Sequence, residues 1–465
     1  MKCGLMDARS RGSFAETMNR TFILAASILA IVSTASAQEQ KPAQEFKKIA
    51  PNIELADGDT FVFLGDSITH QCLYTQYVEN FFYTRYPSKR IHFHNAGVGG
   101  DRASDAIARF ADDVAAFKPK YVSILLGMND GSYRDFDKGV FDTYTAGMTK
   151  VLERIAEIGA VAIPMTPTMH DARAQRARGK VQEPRDTFYN GVLALYGSWL
   201  QEQAEVRGLG FVDMYRPLNS LTLAKRKADA NWTMIKDGIH PGPVGQTVMA
   251  VAMIEDMVKK SPVSAVVVDK VDGKIGAKVV NGKVTDVAES AGGVTFSLLS
   301  NSLPWVLPPD TEEGCKLTRL GHKYSNEKVT VRGIATGKYA LKIDGTEVGQ
   351  WTDGQLAFGV ELEENDKTPQ FQQAQKVATL NKERNDRVYQ QIRGLYAQLK
   401  TQRREVKKAE DAKVADLADK QAAFEKWHAE MKTKVASLLS EAKKLEDQIY
   451  QANQPVAHKY ELVKL

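Results

Sequence analysis

Three residue types that together can break an ester bond lie in two short segments of the chain. Ser67 follows the apolar run 61–64 and a glycine, and Asp237 lies three residues before His240. A serine becomes a nucleophile at neutral pH when a base takes its proton, and the base needs a third group to orient it. His240 could be that base, with Asp237 as the orienting carboxylate. Each segment alone also fits a structural role, since Ser67 could cap a helix and the Asp-x-x-His spacing also occurs in helix caps and surface pairs.

Two further segments could donate hydrogen bonds in the same reaction. The run 95–101 reads Asn-Ala-Gly-Val-Gly-Gly-Asp, and the run 127–130 reads Gly-Met-Asn-Asp. Both follow apolar runs that predict strands. Glycines at a strand end expose backbone N–H groups, and an Asn side chain there can donate to an oxygen that becomes negatively charged. The glycines of the first run and Asn129 of the second are the candidate donors, although tight turns have the same composition.

Taken in order, these four segments resemble those of the GDSL or SGNH hydrolase family, over about residues 58–260. The resemblance implies that Ser67 is the nucleophile, that His240 is the general base and acid, and that Asp237 orients His240. Ile68 stands where the family name has leucine, which exchanges one apolar residue for another. The resemblance also implies three oxyanion-hole donors: the backbone N–H groups of Ser67 and Gly100 and the side-chain amide of Asn129.

Polar side chains around the motifs indicate what the site would bind. The candidates for substrate contact are Asp66, Asp101, Asp130 and Tyr133. A long-chain lipase needs an extended apolar surface beside its serine, whereas these segments are polar. We therefore expect hydrolysis of short acyl esters of small molecules or polysaccharides, O-acetyl groups on glycans above all. The alternatives are a GDSL-type lipase acting on lipid esters, and a binding or scaffold protein with a vestigial hydrolase domain.

Strand and helix patterns alternate between residues 58 and 262, which is typical of a parallel sheet covered on both faces. Short apolar runs predict the strands, and amphipathic stretches between them predict the helices. The strands are expected at 60–64, 91–94, 121–126, 160–165 and 210–213. The fold class is therefore α/β, with the three-layer parallel-sheet domain that the family resemblance implies.

The chain changes in character after this domain. Residues 263–358 contain alternating apolar runs with Asp-Gly and Asn-Gly turns, which predict a small antiparallel β-module. Residues 359–465 are rich in Ala, Lys, Glu and Gln, with apolar residues at three- and four-residue spacing. This pattern predicts a C-terminal helical hairpin or coiled-coil arm, broken near residues 408–413. The helices would pack internally or against a second copy of the chain in a homo-oligomer.

The N-terminal segment predicts export to the periplasm or the cell exterior. A short positive segment, an apolar run at 22–32 and an Ala-Ser-Ala site at 35–37 form the pattern of a signal peptide. Residues 1–37 are therefore left out of the fold, and residues 38–57 are expected to be a linker. Met18 is an alternative start, and a buried N-terminal helix is the structural alternative.

Composition argues against several other classes of protein. The formal net charge of +5 is small for 465 residues, and no basic patch interleaved with aromatic residues favours nucleic acid. No apolar stretch of about 18 residues remains after the signal segment, so no membrane span is expected. No Cys/His cluster has metal-ligand spacing, so no metal and no other cofactor is expected. For Cys72 and Cys315, two free thiols are favoured over one disulfide.

Overall fold

The computed structural model describes residues 47–50, 52–180, 188–290 and 292–465. The predicted signal peptide and much of the predicted linker at 38–57 lie outside these residues. Within the described residues, no helix has both the length and the apolar character that crossing a membrane requires. Cys72 and Cys315 are free thiols, the first buried and the second partly buried.

A parallel sheet forms the first part of the chain. Its strands lie in the order β2-β1-β3-β4. The strands are β1 (Thr60–Gly65), β2 (His92–Gly97), β3 (Tyr121–Leu125) and β4 (Val161–Pro164). The fifth predicted strand, at 210–213, is reduced to a single parallel bridge between Met165 and Val212. It is short because the hydroxyl of Thr166 accepts the N–H of Met214 and of Tyr215, where the chain turns into a helix.

Helices cover both faces of this sheet. The side chains of residues 61–64 in β1 are all fully buried. Since successive side chains of a strand point to opposite faces, complete burial means that both faces are covered. The three-layer α/β prediction is thus confirmed. The helices of this part are α1 (Ser67–His70), α2 (Tyr74–Arg85), α3 (Ala103–Asp113), α4 (Lys138–Glu157), α5 (Ala172–Ala177), α6 (Tyr189–Arg207), α7 (Tyr215–Arg226) and α8 (Pro243–Met257).

Two more sheets form the β-module. One has the order β11-β10-β13-β8-β7 and the other β12-β9-β5-β6. The strands are β5 (Ser264–Val271), β6 (Lys274–Val280), β7 (Gly282–Ser290), β8 (Gly293–Ser300), β9 (Glu327–Arg332), β10 (Lys338–Ile343), β11 (Thr346–Thr352), β12 (Val360–Glu361) and β13 (His458–Lys464). The short helices are α9 (Glu312–Thr318), α10 (Leu320–Tyr324) and α11 (Asp353–Phe358).

The turns of the β-module follow the sequence prediction in part. Hairpins join β5 to β6 and β10 to β11, and their turns at 272–273 and 344–345 have positive φ at both residues. Such turns match the twist of paired strands. The turn at 281–282 instead carries the chain from one sheet to the other. The module is also not purely antiparallel, because β5 pairs with β9 in parallel.

Two long helical segments follow the module. The first consists of α12 (Pro369–Glu383), a π-helical turn (Arg384–Tyr389) and α13 (Gln390–Asp411), and the second is α14 (Leu417–Ala452). The break lies at 412–416, slightly later than predicted. The predicted helical arm over 359–465 is too broad, since β13 pairs with β8 and β10 inside the module. Its Tyr460 and Leu462 are buried, which is the two-residue alternation of a strand.

The long helices pack against the parallel-sheet domain of the same chain. Of the two arrangements that the sequence allowed, packing within the chain or against a second copy, this is the first. Arg393 of α13 donates two hydrogen bonds to Asp113 of α3, at 2.7 and 2.8 Å, and both side chains are fully buried. Arg384 of the π-helical turn lies 3.2 Å from Glu79 of α2. These buried ion pairs tie residues about three hundred positions apart into one body.

Candidate active site

Ser67, His240 and Asp237 form one hydrogen-bonded chain at the carboxyl edge of the parallel sheet. Nε2 of His240 lies 2.8 Å from Oγ of Ser67, and Nδ1 of His240 lies 2.6 Å from Oδ2 of Asp237. When Nδ1 carries the proton and donates it to the carboxylate, Nε2 has a free lone pair for the serine proton. The structure therefore brings together the three residues that the sequence singled out as catalytic candidates.

The position of Ser67 follows from a sharp strand-to-helix turn. β1 ends at Gly65, and α1 begins at Ser67. Asp66 caps α1, because its Oδ1 accepts the N–H of Ile68 at 3.0 Å. A Cβ on Gly65 would overlap Oγ1 of Thr69 in α1 and would lie 2.9 Å from the carbonyl oxygen of Leu125 in β3, so a side chain there would force α1 and β3 away from the end of β1. The glycine allows the close approach that leaves Ser67 at the end of the strand.

The position of His240 follows from a turn that Asp237 itself stabilises. Oδ1 of Asp237 accepts the backbone N–H of Ile239 at 2.9 Å and that of His240 at 2.8 Å. Gly238 takes the left-handed conformation inside this turn, with φ of +85°. Burial alone would raise the pKa of Asp237, but the hydrogen bonds from His240 and Ile239 outweigh it and hold this pKa below its usual range. Asp237 is therefore a carboxylate that faces the imidazole.

The order of the strands places both candidate oxyanion loops beside Ser67. β1 lies between β2 and β3, so the loop after β2, with Gly100, and the loop after β3, with Asn129, flank the serine. Among the described residues, the backbone N–H groups of Ser67 and Gly100 have no hydrogen-bond acceptor. They are therefore free to bind an oxygen of the substrate.

The amide of Asn129 is held in place by three groups. Its Nδ2 donates to the carbonyl oxygen of Asp101 at 3.1 Å and to Oδ2 of Asp66 at 3.3 Å. Its Oδ1 accepts the hydroxyl of Tyr133 at 3.0 Å. With the oxygen tied to Tyr133, the NH₂ group is turned toward Asp66, which precedes the serine. Tyr133 is partly exposed, so its predicted contact with substrate stays a prediction.

The predicted substrate contacts of Asp66 and Asp130 do not fit the structure. Their side chains are 1% and 8% exposed. Asp130 accepts the N–H of Ala103 at 2.9 Å and that of Gly127 at 3.1 Å, which ties the start of α3 to the end of β3. Burial raises the pKa of Asp66 to about 7 and that of Asp130 to about 6. We therefore assign both residues a structural role in shaping the loops, because their carboxylate oxygens already accept hydrogen bonds from protein N–H groups.

Asp101 is corrected for the same reason. It is fully buried, and its Oδ2 accepts Nε of Arg109 at 2.8 Å. Its Oδ1 accepts the ammonium of Lys400 at 2.8 Å. Both oxygens are thus bound by cations of the protein, so the carboxylate holds the loop after β2 rather than a substrate.

Sequence analysis did not single out two residues that grip this loop. Nδ1 of His70 accepts the N–H of Gly99 at 3.2 Å, and Nζ of Lys400 donates to the carbonyl oxygen of Gly99 at 3.1 Å. Burial, together with Arg393 and Arg109, lowers the pKa of His70 to about 4, so its ring is neutral and can accept. His70 lies close enough to Ser67 in the chain to have been considered. Lys400 gave no signal, since it lies in a charged run that predicts a solvated helix face.

One group of side chains in the described part of the chain could hold a metal ion. The ligand atoms of His322, Glu361 and Glu363 lie within 4.8 Å of one another, in the β-module. Nδ1 of His322 lies 2.9 Å from both oxygens of Glu361. Burial raises the pKa of Glu363 to about 7, and its Oε2 accepts the backbone N–H of Glu327 at 3.0 Å. The group is distinct from the residues around Ser67, and its geometry fits an ion pair.

Comparison with known families assigns the domain that carries the site. Residues 63–248 match the model of the GDSL-like lipase/acylhydrolase family. These residues are a GDSL-like lipase/acylhydrolase domain. The GDSL domain contains the serine, the histidine and both candidate oxyanion residues within its matched span, and its presence makes the chain an ester hydrolase.

Individual relatives of the GDSL domain are distant in sequence. An acetylxylan esterase from Geobacillus stearothermophilus is 27% identical over 228 residues, which are 44% of this chain and 96% of the relative. A solved acetylxylan esterase structure from the same organism is 24% identical, covers 45% of this chain and 100% of its own, and has a TM-score of 0.36.

A second solved structure resembles more of the chain. A gut microbial diltiazem-metabolizing enzyme has a TM-score of 0.77 and 22% identity, over 89% of this chain and 99% of its own. At this identity the likeness concerns the fold. The β-module and the long helices therefore form, with the GDSL domain, an arrangement that also occurs in another protein.

Proposed function

We propose that this protein is a serine esterase that removes short acyl groups, acetyl above all, from glycans by way of an acyl-enzyme. The observation that carries the proposal is the hydrogen-bonded chain from Asp237 through His240 to Ser67. The acetylxylan esterase that is 27% identical over 228 residues supports the acetyl-glycan part of the proposal.

Each of these three hydrogen-bonded residues has a defined role in the reaction. Nε2 of His240 takes the proton of Ser67, and Oγ forms a bond to the ester carbonyl carbon. His240 then gives the proton to the alcohol oxygen, which leaves as the carbon–oxygen bond breaks. Water attacks the acyl-enzyme with its proton passing to His240, and the acid departs as Ser67 recovers its proton. Asp237 stabilises the charged imidazole that forms in each half of the reaction.

The oxyanion that forms in each half needs donors that water does not supply. The free N–H groups of Ser67 and Gly100 would provide two of them. Asn129 would provide the third by giving up its bond to Asp66, which at 3.3 Å is the longer of its two donor contacts. Tyr133 would keep the amide turned toward the substrate during this exchange.

The rim of the site supports a sugar rather than a long acyl chain. Arg102 is exposed and donates to the hydroxyl of Ser132 at 3.3 Å, and Tyr133 is partly exposed beside Asn129. These groups can hydrogen-bond to sugar hydroxyls, and the tyrosine ring can lie against the apolar face of a sugar. An alkyl chain would find few apolar partners among them.

The test is a series of nitrophenyl esters from acetate to palmitate, with acetylated xylan and other acetylated glycans in parallel. We expect a burst of nitrophenol from the acetate ester, the highest kcat/KM at acetate, and release of acetate from a glycan. Ser67→Ala should abolish hydrolysis of both the nitrophenyl esters and the acetylated glycans and keep the thermal unfolding temperature, since only a hydroxyl is removed. A kcat/KM that peaks at long acyl chains would favour a lipase instead, and equal turnover by Ser67→Ala would refute the nucleophile.

We also propose that the protein is exported. The signal-peptide pattern of residues 18–37 supports this proposal. N-terminal sequencing of the exported protein should find a chain that begins at or near Gln38. An intact Met1 or Met18 on exported protein would contradict it.

A further inference from the structure

Helix α13 contacts two segments of the esterase site, the residues that follow Ser67 and the loop after β2. At its start, Nε2 of Gln390 donates to the carbonyl oxygens of His70 and Gln71, at 3.1 and 3.0 Å, just after the serine turn. Ten residues further on, Lys400 reaches the loop after β2, where it donates to the carbonyl oxygen of Gly99. This part of α13 therefore lies along the site rather than apart from it.

Lys400 joins the groups on either side of the candidate oxyanion glycine. Its Nζ lies 3.1 Å from the carbonyl oxygen of Gly99 and 2.8 Å from Oδ1 of Asp101. A Cβ built on Gly100 would lie 3.6 Å from the same nitrogen, so the ammonium packs directly against this residue. Gly100 has φ of +69°, a left-handed conformation. Because glycine has no side chain, contacts from neighbouring residues must hold the backbone in this conformation.

Lys400 is also linked, through Asp101, to the third oxyanion donor, the amide of Asn129. The carbonyl oxygen of Asp101 accepts Nδ2 of Asn129 at 3.1 Å, while its carboxylate is held by Lys400 and Arg109. Any movement of Asp101 would therefore move both Gly100 and the acceptor that fixes Asn129. The side chain of Lys400 is only 12% exposed, so water screens this interaction weakly.

We propose that Lys400 is a positioning residue of the esterase site, which holds residues 99–101 so that Gly100 and Asn129 are ready to bind the oxyanion. The inference rests on the proposed function. Lys400 acts through the loop because its ammonium is bound by protein groups: it donates to the carbonyl oxygen of Gly99 and to Oδ1 of Asp101, and it lies 3.4 Å from Oδ2 of Asp105. Since the oxyanion exists only in the transition state, the loss of Lys400 should lower kcat more than it raises KM.

The first experiment compares Lys400→Met with a matched variant on the same helix. We expect kcat on nitrophenyl acetate to fall about 10- to 100-fold, as a small misplacement of catalytic donors does. KM should change by less than about threefold, because ground-state binding does not use the oxyanion donors. Lys407→Met is the control, since Lys407 lies two turns further on and pairs with Glu410 and Asp411 of its own helix. It should keep the wild-type kcat.

A double-mutant cycle with Asn129→Ala separates positioning from a general loss of packing. If Lys400 acts through the oxyanion donors, Lys400→Met should cost less in the Asn129→Ala background than in the wild type. Lys400→Arg, which keeps the charge, should recover part of the lost kcat at an unchanged thermal unfolding temperature. Equal losses in both backgrounds, or a kcat of Lys400→Met like that of the wild type, would overturn the proposal.

The controls keep this inference separate from the proposed function. If Ser67→Ala is inactive and Lys400→Met has full activity, only the role of Lys400 is refuted. If Ser67→Ala is as active as the wild type, the proposed function itself fails. Should Lys400→Met not fold, the same comparison is made with Lys400→Gln, and with Lys400→Ala if Lys400→Gln does not fold either. If that variant has the kcat of the wild type, the role of Lys400 is refuted. If its kcat is lower and its KM is unchanged, the role is supported.

Discussion

Asp237 holds His240 through both of its carboxylate oxygens, and each oxygen has a different task. Oδ1 accepts the backbone N–H groups of Ile239 and His240 and so shapes the turn, whereas Oδ2 faces Nδ1 of the imidazole at 2.6 Å. One substitution can therefore test the effect of the negative charge on His240 separately from the effect of the side chain on the turn.

Asp237→Asn should leave the turn intact and remove most of the activity. The amide oxygen can still accept the two backbone N–H groups, but the NH₂ group then faces Nδ1 and favours the tautomer that has no free lone pair at Nε2. We expect kcat to fall about 10⁴-fold, as in comparable triads, with an unchanged thermal unfolding temperature. Steady-state kinetics with nitrophenyl acetate measures this loss, and a kcat within tenfold of the wild-type value (about 1.4 kcal/mol) would show that Asp237 only shapes the turn.

Asn129→Ala should lower kcat by about a hundredfold or more, because it removes one donor to the oxyanion. Tyr133→Phe is the informative partner of this variant. It keeps the amide and loses only the hydroxyl that orients Oδ1 of Asn129, so its loss of kcat should be smaller. The two effects should also be less than additive. If the loss in Asn129→Ala appeared only in KM, Asn129 would instead bind the ground state.

Asp66 should make the stability of the protein depend on pH. Burial, aided by Asp130 and Asp101, raises the pKa of Asp66 to about 7. Between about pH 4 and 7 the folded protein thus keeps a proton that the unfolded chain has lost. This contribution to the free energy of unfolding is fully present below about pH 4 and is lost as the pH rises through about 7. The Asp66→Asn variant has no titratable group at this position, so its free energy of unfolding should lack this part of the pH dependence.

The measurement is the thermal unfolding temperature of wild type and Asp66→Asn from pH 4 to pH 8. The wild type should lose stability relative to the variant as the pH rises, by at most about 4 kcal/mol. A difference that stays constant across this range would mean that the substitution only removes hydrogen bonds.

Arg393→Met should destabilise the whole chain. It leaves Asp113 buried without its bidentate partner, although Arg109 and His94 still contact that carboxylate, at 2.6 and 3.0 Å. Burial would raise the pKa of Asp113, but Arg393, His94 and Arg109 hold it well below its usual range. We expect a loss of about 3 kcal/mol in the free energy of unfolding.

Arg387→Met is the matched control for this variant. Arg387 lies on the same helical segment, but its side chain is 53% exposed and pairs with Glu383 and Glu441 at the surface. Exposed ion pairs contribute little to stability, so this variant should unfold close to the wild type in urea. Equal losses of unfolding free energy in the two variants would show that the buried ion pair at Asp113 stabilises the protein no more than an exposed one.

The sequence by itself was sufficient for the parts of the site that depend on neighbouring residues. The turn at Ser67 needs only a strand, a glycine and a capping aspartate, and the turn at His240 needs only Asp237 and Gly238. The alternation of strands and helices also follows from local patterns, so the α/β class and the order of the motif loops could be predicted. Val212 marks the limit of such reasoning, because the capping of α7 by Thr166 shortens its strand to one bridge.

Only the tertiary structure decided which charged residues are buried and what they hold. Asp66, Asp101 and Asp130 have the same residue type as any surface aspartate, and their environment comes from loops that meet at the sheet edge. Lys400 lies 299 residues from Asp101 in sequence, yet it ends 2.8 Å from that carboxylate. No local pattern encodes such a pairing, since the free energy that favours it comes from the packing of α13 against a distant domain. The motif residues were therefore fixed by local chemistry, and the groups that hold them in place by long-range packing.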